Sequence, residues 1–258
     1  MSKVNAILDG DLMDAAQATI GATDEGFLRG DGVFEVICLY GGKPFAFEDH
    51  MVRMQRSADN LLLPFDQAAI RADCTKLLAE AEDDGLLRVV VTRGGRRLGL
   101  VEPMPVYPPS LALASVEYAP TRVLDQIKSL SYAANMLSDR TAKKAGADLA
   151  LLITPHGRIL EGATSSFFAV LDGELVTPPI SEHILESITR KYVLKTSKVT
   201  ERTLTRDDIP NFTEAFLAST TREVHPVHTI DDIELPAQRP LTDAAAEAFS
   251  AYVKASLK

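Results

Sequence analysis

Cysteine is scarce in this chain, and its histidines form no metal-binding pattern. The two cysteines, Cys38 and Cys74, have neither the spacing of a metal site nor that of a redox motif. Among the five histidines there is no HExxH pattern, and Pro226 between His225 and His228 argues against a shared helical face. We therefore expect no disulfide framework and no metal site.

Long apolar runs and basic stretches are also missing. No segment reaches the roughly 18 apolar residues that a membrane helix needs, and residues 1–17 lack the apolar region of a signal peptide. Lys and Arg number 27 against 36 Asp and Glu, a net charge of −9. These features predict a cytoplasmic protein that binds neither membranes nor nucleic acid. An acidic protein that binds an anion must concentrate its arginines locally, so single arginines are informative.

The hydrophobic content and the pattern of apolar residues predict a globular protein. With 258 residues and 46% hydrophobic content, the chain can bury a core without disulfides and forms one or two units. Residues 30–47 predict a hairpin that turns at Gly41-Gly42. Apolar spacing predicts helices over 50–63 and 70–85, and β-branched residues predict a strand over 86–95.

The second part of the chain repeats this mixture of strands and helices. A helix is predicted over 135–147, a run of strands over 147–179, a helix over 187–198 and a strand over 215–220. Two successive mixed blocks predict two α+β subdomains. We expect a small N-terminal domain over 1–118, a linker over 119–127 and a larger C-terminal domain over 128–258.

Six short segments carry the chemical information. They are DEGFLRGDGVFE (24–35), HMVRMQRSA (50–58), IKSLSYAANM (127–136), LEGATSSFF (160–168), LESITR (185–190) and STTREVHPV (219–227). Their order and spacing resemble the class IV (fold type IV) enzymes that use pyridoxal 5'-phosphate (PLP). That family includes D-amino-acid aminotransferases, branched-chain aminotransferases and 4-amino-4-deoxychorismate lyases. The resemblance implies an α/β fold of two α+β domains with PLP between them, and a homodimer.

The resemblance assigns the central catalytic role to Lys128. In such enzymes a lysine forms a Schiff base with PLP and then moves a proton between the substrate and the cofactor, which requires an amine in a protected site. The alternative is a solvated surface lysine, the state of most lysines.

Other residues match the family's contacts to the PLP ring. Glu161 matches the acid that keeps the pyridine nitrogen protonated, and its alternative role is a turn glutamate after a strand at 158–160. Tyr132 matches a hydrogen-bond partner of the ring hydroxyl, and its alternative role is a core tyrosine.

A third group matches the family's phosphate site. Arg53 would supply a cation, Ile188 and Thr189 would open a helix whose N-terminus attracts the anion, and Thr220 would add a hydroxyl group. Ser165 is a further candidate for binding the cofactor. The alternatives are an exposed helix arginine for Arg53 and an N-cap for Thr189.

Two residues of this phosphate region depart from the family pattern. Ser187 stands where the family has Gly, and Ser166 stands where it has Asn. Ser does not adopt a positive φ as easily as Gly.

Arginines are the candidates for binding the carboxylate of the substrate, because the guanidinium matches a carboxylate in geometry. Arg88 lies in an otherwise apolar strand, and Arg29 lies in a loop that in the family reaches the partner's active site. Arg96 and Arg97 form a third basic group. For all four the alternative is ordinary surface charge. The remaining substrate-binding candidates are Phe34 and Thr221.

We predict an aminotransferase that acts on an α-amino acid and a 2-oxo acid, with D-amino acids favoured. Residues 219–227 differ from the GTAAEV-like segment of branched-chain enzymes, and the loop at 94–100 lacks the Arg-x-His pair of Bacillus-type D-amino-acid enzymes. The alternatives are 4-amino-4-deoxychorismate lyase, a branched-chain L-amino-acid aminotransferase and a non-catalytic PLP-binding protein.

Overall fold

The computed structural model describes residues 5–257, which form two compact units. Unit 1 comprises the chain up to Pro105 together with Ile127–Tyr132 and Leu257, and unit 2 comprises Val106–Gln126 and Ala133–Ser256. Each unit has a sheet and helices. The predicted mixed α/β class is therefore confirmed.

Unit 1 is built on a six-stranded sheet with strand order β2-β1-β6-β5-β3-β4. The strands are β1 (Asn5–Leu8), β2 (Asp11–Asp14), β3 (Gly32–Tyr40), β4 (Lys43–Pro44), β5 (Gly85–Thr92) and β6 (Arg97–Pro103). The helices are α1 (Glu25–Arg29), α2 (Phe47–Asn60) and α3 (Gln67–Leu78). The hairpin predicted over 30–47 is confirmed, because β3 and β4 pair across the Gly41-Gly42 turn.

Side chains alternate across the strands of unit 1, as expected for extended backbone. Val33, Ile37 and Leu39 of β3 pack in one core cluster with Met51 and Met54 of α2. Phe34 and Val36 therefore lie on the opposite face of the sheet.

Unit 2 is built on a nine-stranded sheet with strand order β12-β11-β10-β13-β14-β7-β8-β9, in which β15 pairs with β14. The strands are β7 (Leu111–Glu117), β8 (Leu149–Ile153), β9 (Ile159–Gly162), β10 (Ser166–Leu171), β11 (Glu174–Thr177), β12 (Thr200–Glu201), β13 (Glu214–Ser219), β14 (Glu223–Ile230) and β15 (Ile233–Glu234). The helices are α4 (Ala133–Lys144), α5 (Ile188–Thr196) and α6 (Pro240–Ser256).

Strand β8, which lies next to the edge strand β9, is covered on both of its faces. All five of its residues are buried, with Leu151 in one core cluster and Leu152 in another. Continuous burial of this kind indicates that both faces of the strand are covered.

The two units divide the chain differently from the predicted domain boundaries. Strand β7, which was expected in the N-terminal domain, belongs to the sheet of unit 2 because it pairs in parallel with β8 and β14. Residues 127–132, which were expected as the last linker residue and the start of the C-terminal domain, belong to unit 1. Pairing along strand edges, which is not local in sequence, decides both assignments.

Strand β3 holds the segment that contains Lys128. The amide of Phe34 donates to the Lys128 carbonyl at 3.1 Å, and the amide of Leu130 donates to the Gly32 carbonyl at 2.9 Å. Val33 and Ser129 form an antiparallel bridge between these two contacts. The backbone at Lys128 is therefore fixed by hydrogen bonds rather than left as a linker.

Gly32 is expected to be essential for this attachment. A Cβ at Gly32 would lie 2.4 Å from the Val91 carbonyl oxygen and 2.7 Å from Cδ1 of Leu130. Gly32→Ala should therefore lower the free energy of unfolding by about 1–3 kcal/mol through overpacking, as measured by urea denaturation. Gly21→Ala is the matched control, since a Cβ there meets nothing within 4 Å. Equal stability of the two variants would contradict this account.

Candidate active site

The Lys128 amine lies against two aromatic rings in unit 1. Its Nζ is 4.3 Å from the centroid of the Phe34 ring and 5.6 Å from that of Tyr132. The two rings meet edge to face at 5.2 Å. The Lys128 amide also donates to Oγ of Ser57 at 3.1 Å. A half-buried lysine with a fixed backbone and aromatic neighbours is not in the setting of a solvated surface lysine.

Beside this lysine, unit 1 buries a cluster of three ionisable side chains. Glu35 is fully buried and accepts from Arg53 Nε at 2.7 Å and from Arg53 Nη2 at 2.6 Å. His50 Nδ1 lies 2.7 Å from Glu35 Oε2. Such a bidentate pair between a guanidinium and a carboxylate is strong and directional. The cluster joins β3 to α2.

The charges of this cluster are set by burial and by the three groups themselves. Burial by itself would raise the pKa of Glu35, but the charge and hydrogen bonds of Arg53, together with those of His50, lower it to about 2. Burial lowers the pKa of His50 against the opposing effect of Glu35, and the charges of Arg53 and Lys128 lower it further. At neutral pH the cluster therefore contains a carboxylate, a guanidinium and a neutral imidazole.

The alternative role of Arg53 as an exposed helix arginine is therefore wrong. Its side chain is only 6% exposed and is bound to Glu35. The role of Arg53 at the phosphate stays a prediction.

In unit 2 the N-terminus of α5 presents the predicted phosphate residues. Ser187 is the N-cap, with its side chain accepting from the Arg190 amide at 3.3 Å. The alternative role of Thr189 as the N-cap is therefore wrong, because Thr189 lies inside the first turn of the helix. Both Thr189 and Ile188 are buried there. Ser187 has φ −72°, so the replacement of the family's Gly causes no backbone strain.

Several hydroxyl groups near the predicted PLP residues of unit 2 have no partner. Within residues 5–257, the Oγ atoms of Ser165, Ser166 and Ser219 are buried and make no hydrogen bond. Ser165 lies in the turn after Gly162, and Ser219 directly precedes Thr220. Unpaired buried hydroxyls are costly and commonly mark a place where a ligand or water binds.

Glu161, the candidate partner of the pyridine nitrogen, lies in β9 next to Gly162. Its Oε1 accepts from the Leu185 amide at 3.3 Å. Burial raises the pKa of Tyr118, and the charge of Glu161 raises it further. Glu161 is half-buried and hydrogen-bonded, which is more than a solvated turn residue requires.

These groups fit PLP in their chemistry. PLP needs an amine, an acid for its ring nitrogen, and donors for its phosphate. The described residues provide Lys128, Glu161, the first turn of α5 and the unpaired hydroxyls at Ser165 and Ser219.

The candidate substrate arginines have different surroundings. Arg88 of β5 pairs with Val36 of β3 and so shares the face of Phe34, and its Nε donates to Glu102 at 2.8 Å. Arg29 is exposed and forms an ion pair with Glu25 one turn away in α1.

The third basic group is engaged within unit 1. Arg96 Nε lies 2.9 Å from Asp9, and Arg97 Nε donates to Asp73 at the same distance. These two pairs fasten the β5–β6 loop to the end of β1 and to α3, which is consistent with a structural role.

A further residue, Arg222, was not among the sequence-based candidates. The Arg222 amide donates to the Ser219 carbonyl at 3.2 Å and closes a turn that contains Thr220 and Thr221. The hydroxyl of Thr221 pairs with that of Tyr107 at 2.9 Å. Its position inside the segment 219–227 was the one signal in the sequence that could have identified Arg222.

Residues 5–257 contain neither a candidate metal site nor a candidate membrane-spanning helix. No group of three or more His, Cys, Asp and Glu side chains is placed to hold a metal ion. No helix within this range is both long and apolar enough to cross a membrane.

Comparison with known proteins identifies the family to which this chain belongs. Residues 32–230 match the family described as Amino-transferase class IV. A putative branched-chain-amino-acid aminotransferase of Methanocaldococcus jannaschii is 34% identical, with 87% of each chain covered. A D-alanine aminotransferase of Bacillus licheniformis is 30% identical, covering 88% of this chain and 89% of that protein.

The fold agrees with this match. A hypothetical aminotransferase from Mycobacterium tuberculosis, solved in its PLP-bound form, superposes with a TM-score of 0.88 at 25% identity, covering 98% of this chain and 99% of that one. The fold and the matches define a fold type IV, PLP-dependent transaminase. The chain belongs to the class IV aminotransferase family, and its substrates are an amino acid and a 2-oxo acid.

The buried cluster beside Lys128 yields a matched pair of substitutions. Glu35→Gln should lower the free energy of unfolding by about 3–5 kcal/mol, because Arg53 would keep a buried charge without an anionic partner. Glu48→Gln is the matched control. The Glu48 carboxylate accepts from both Nη atoms of Arg71, so this pair is bidentate too, but the Glu48 side chain is 74% exposed. That change should cost about 1 kcal/mol or less. Urea denaturation at pH 7 compares the two, and similar losses would show that the Glu35 cluster does not stabilise unit 1.

Proposed function

We propose that this class IV aminotransferase prefers D-amino acids and that Lys128 is its catalytic residue. The observation that carries the catalytic role is the position of the Lys128 amine against the rings of Phe34 and Tyr132, on a backbone held by β3. A fixed and partly desolvated amine is suited to attack a carbonyl and to accept a proton.

When bound, PLP would supply an electron-withdrawing ring that weakens the bond between the α-carbon of the substrate and its hydrogen. Lys128 Nζ would accept that proton and hold it for return, while the rings of Phe34 and Tyr132 limit the access of water. Holding the base in place before the reaction is expected to contribute roughly 10²–10⁴-fold to the rate.

The other residues of the proposed PLP site are assigned roles that suit their side chains. Glu161 keeps a proton on the ring nitrogen, and Tyr132 donates to the ring hydroxyl. The phosphate is held by Arg53, Ser165, Ile188, Thr189 and Thr220. The support for these roles is the buried first turn of α5 and the unpaired hydroxyl of Ser165.

Carboxylate recognition is assigned to Arg88, and to Arg29 from a second copy of the chain. Arg88 uses Nε for Glu102, and its two Nη atoms donate to no residue within the described range. Phe34 shares the face of Arg88 and provides an apolar wall, and Thr221 offers a hydroxyl in the 219–222 turn.

The D-amino-acid preference is supported by the relatives, among which D-alanine aminotransferases recur, one at 30% identity. A branched-chain L-amino acid is the second candidate, because the relative at 34% identity bears that name.

The absorption spectrum of the holoenzyme distinguishes these substrates. Its yellow band should bleach on addition of D-alanine and persist with L-leucine, because the amino group passes to the cofactor only from a substrate that binds productively. Bleaching with L-leucine alone would establish the branched-chain alternative instead. A coloured protein that responds to neither would point to 4-amino-4-deoxychorismate lyase, which direct assay of that substrate tests.

Lys128→Ala serves as the control for this experiment. It removes the nucleophile and the base together, so neither amino acid should bleach the band at a comparable rate. Lys144→Ala alters an exposed lysine of α4 and should behave as the unchanged protein. Near-normal turnover of Lys128→Ala would refute the catalytic assignment.

A homodimer is part of the proposal. Two apolar side chains of α1, Phe27 and Leu28, are 73% and 54% exposed next to Arg29, and burial against a second copy would remove that exposure. Sedimentation analysis should give twice the chain mass, and Phe27→Ser should weaken the assembly. A monomer at micromolar concentration would contradict this part of the proposal.

A further inference from the structure

Arg222 carries a guanidinium that is bound to no acceptor within the described range. Within the described range, its guanidinium makes neither a hydrogen bond nor an ion pair, and its Nε is buried without a partner. An arginine carries five donors, and buried donors are normally satisfied. The lack of any acceptor at a half-buried guanidinium therefore requires an explanation.

The guanidinium is nevertheless held in place. Its Cζ lies 4.2 Å from the centroid of the Tyr107 ring, which is the distance of a cation–π contact. The Tyr107 hydroxyl in turn pairs with the Thr221 hydroxyl at 2.9 Å. Because the stack fixes the plane of the guanidinium, little side-chain entropy remains to be lost when an anion binds.

No ionisable side chain in the described range forms an ion pair with Arg222. Burial lowers the pKa of His225, and the charge of Arg222 lowers it further. His225 is therefore neutral at neutral pH, and its buried Nε2 has no partner within residues 5–257. Asp139 lies within the electrostatic range of Arg222, but its Oδ1 accepts from the Ala150 amide and it forms no ion pair with the guanidinium.

We propose that Arg222 binds a carboxylate of the amino-acid or 2-oxo-acid substrate. The guanidinium, presented on Tyr107 beside the Thr220-Thr221 turn, offers two parallel donors to the two oxygens of a carboxylate. The inference rests on the proposed function only in identifying the anion as a substrate. It adds a specificity-determining residue to the candidates Arg88 and Arg29.

The test measures binding to the holoenzyme by calorimetry, with succinate and acetate as probes that carry carboxylates but no amino or keto group. Arg222→Gln should raise the Kd of succinate about tenfold or more, the loss expected for a hydrogen bond between charged groups. The Kd of Arg222→Lys should lie between those of the unchanged protein and Arg222→Gln, since lysine keeps the charge but not the planar fork. Arg140→Gln is the matched control, because Arg140 is an exposed arginine of α4 without a partner in the described range.

Two Tyr107 variants test the stack independently of the charge. Tyr107→Phe keeps the ring under Arg222 and should retain most of the affinity, whereas Tyr107→Leu removes the platform and should weaken binding.

Equal succinate affinities in Arg222→Gln and Arg140→Gln, or no carboxylate binding by the unchanged protein, would overturn the inference. Because succinate has no chiral centre and does not react, the result is independent of whether D- or L-amino acids are the substrates. Kinetics then report which carboxylate is bound. A KM raised for every substrate identifies the α-carboxylate, and a KM raised only for dicarboxylic 2-oxo acids identifies the distal one.

Discussion

The buried contact between Glu35 and Arg53 is the interaction on which unit 1 depends. A carboxylate with no exposed surface is held ionised by a guanidinium and an imidazole, all within hydrogen-bond distance. Because Glu35 is in β3 and its partners are in α2, the contact fixes the helix against the strand. The same strand holds the Lys128 segment through Phe34 and Gly32. A change in the cluster is therefore expected to reach the Lys128 amine through the backbone of β3.

Unit 2 leaves several buried polar groups without a hydrogen-bond partner beside the segments that match the family. The hydroxyls of Ser165 and Ser219 and the guanidinium of Arg222 have no acceptor or donor within the part of the chain that the structure describes. Such groups are costly to stability, and they surround segments that match the family's motifs. Residues that bind a ligand commonly show this imbalance, because their partner is the ligand.

Particular elements show how far local patterns could predict the structure. The β3–β4 hairpin was predictable because Gly41 and Gly42 both adopt a positive φ, which is a local requirement. Helix α3 ends at Leu78, whereas the apolar pattern extended it to Gly85, which instead begins β5. The role of N-cap fell to Ser187 instead of Thr189 because capping depends on which residue has extended backbone, and the sequence offers two hydroxyl residues two positions apart.

The sequence alone was sufficient to identify the family and the cofactor, because an ordered set of short motifs reports chemistry that cannot be exchanged for other residue types. The tertiary structure alone decided which charges are paired. Arg53, Arg88, Arg96, Arg97 and Arg222 look alike in the sequence, yet four of them have carboxylate partners and Arg222 has none. Those partners are far away in the chain and are brought together by strand pairing and helix packing. Periodicity and spacing are local properties and do not encode which distant side chains will meet.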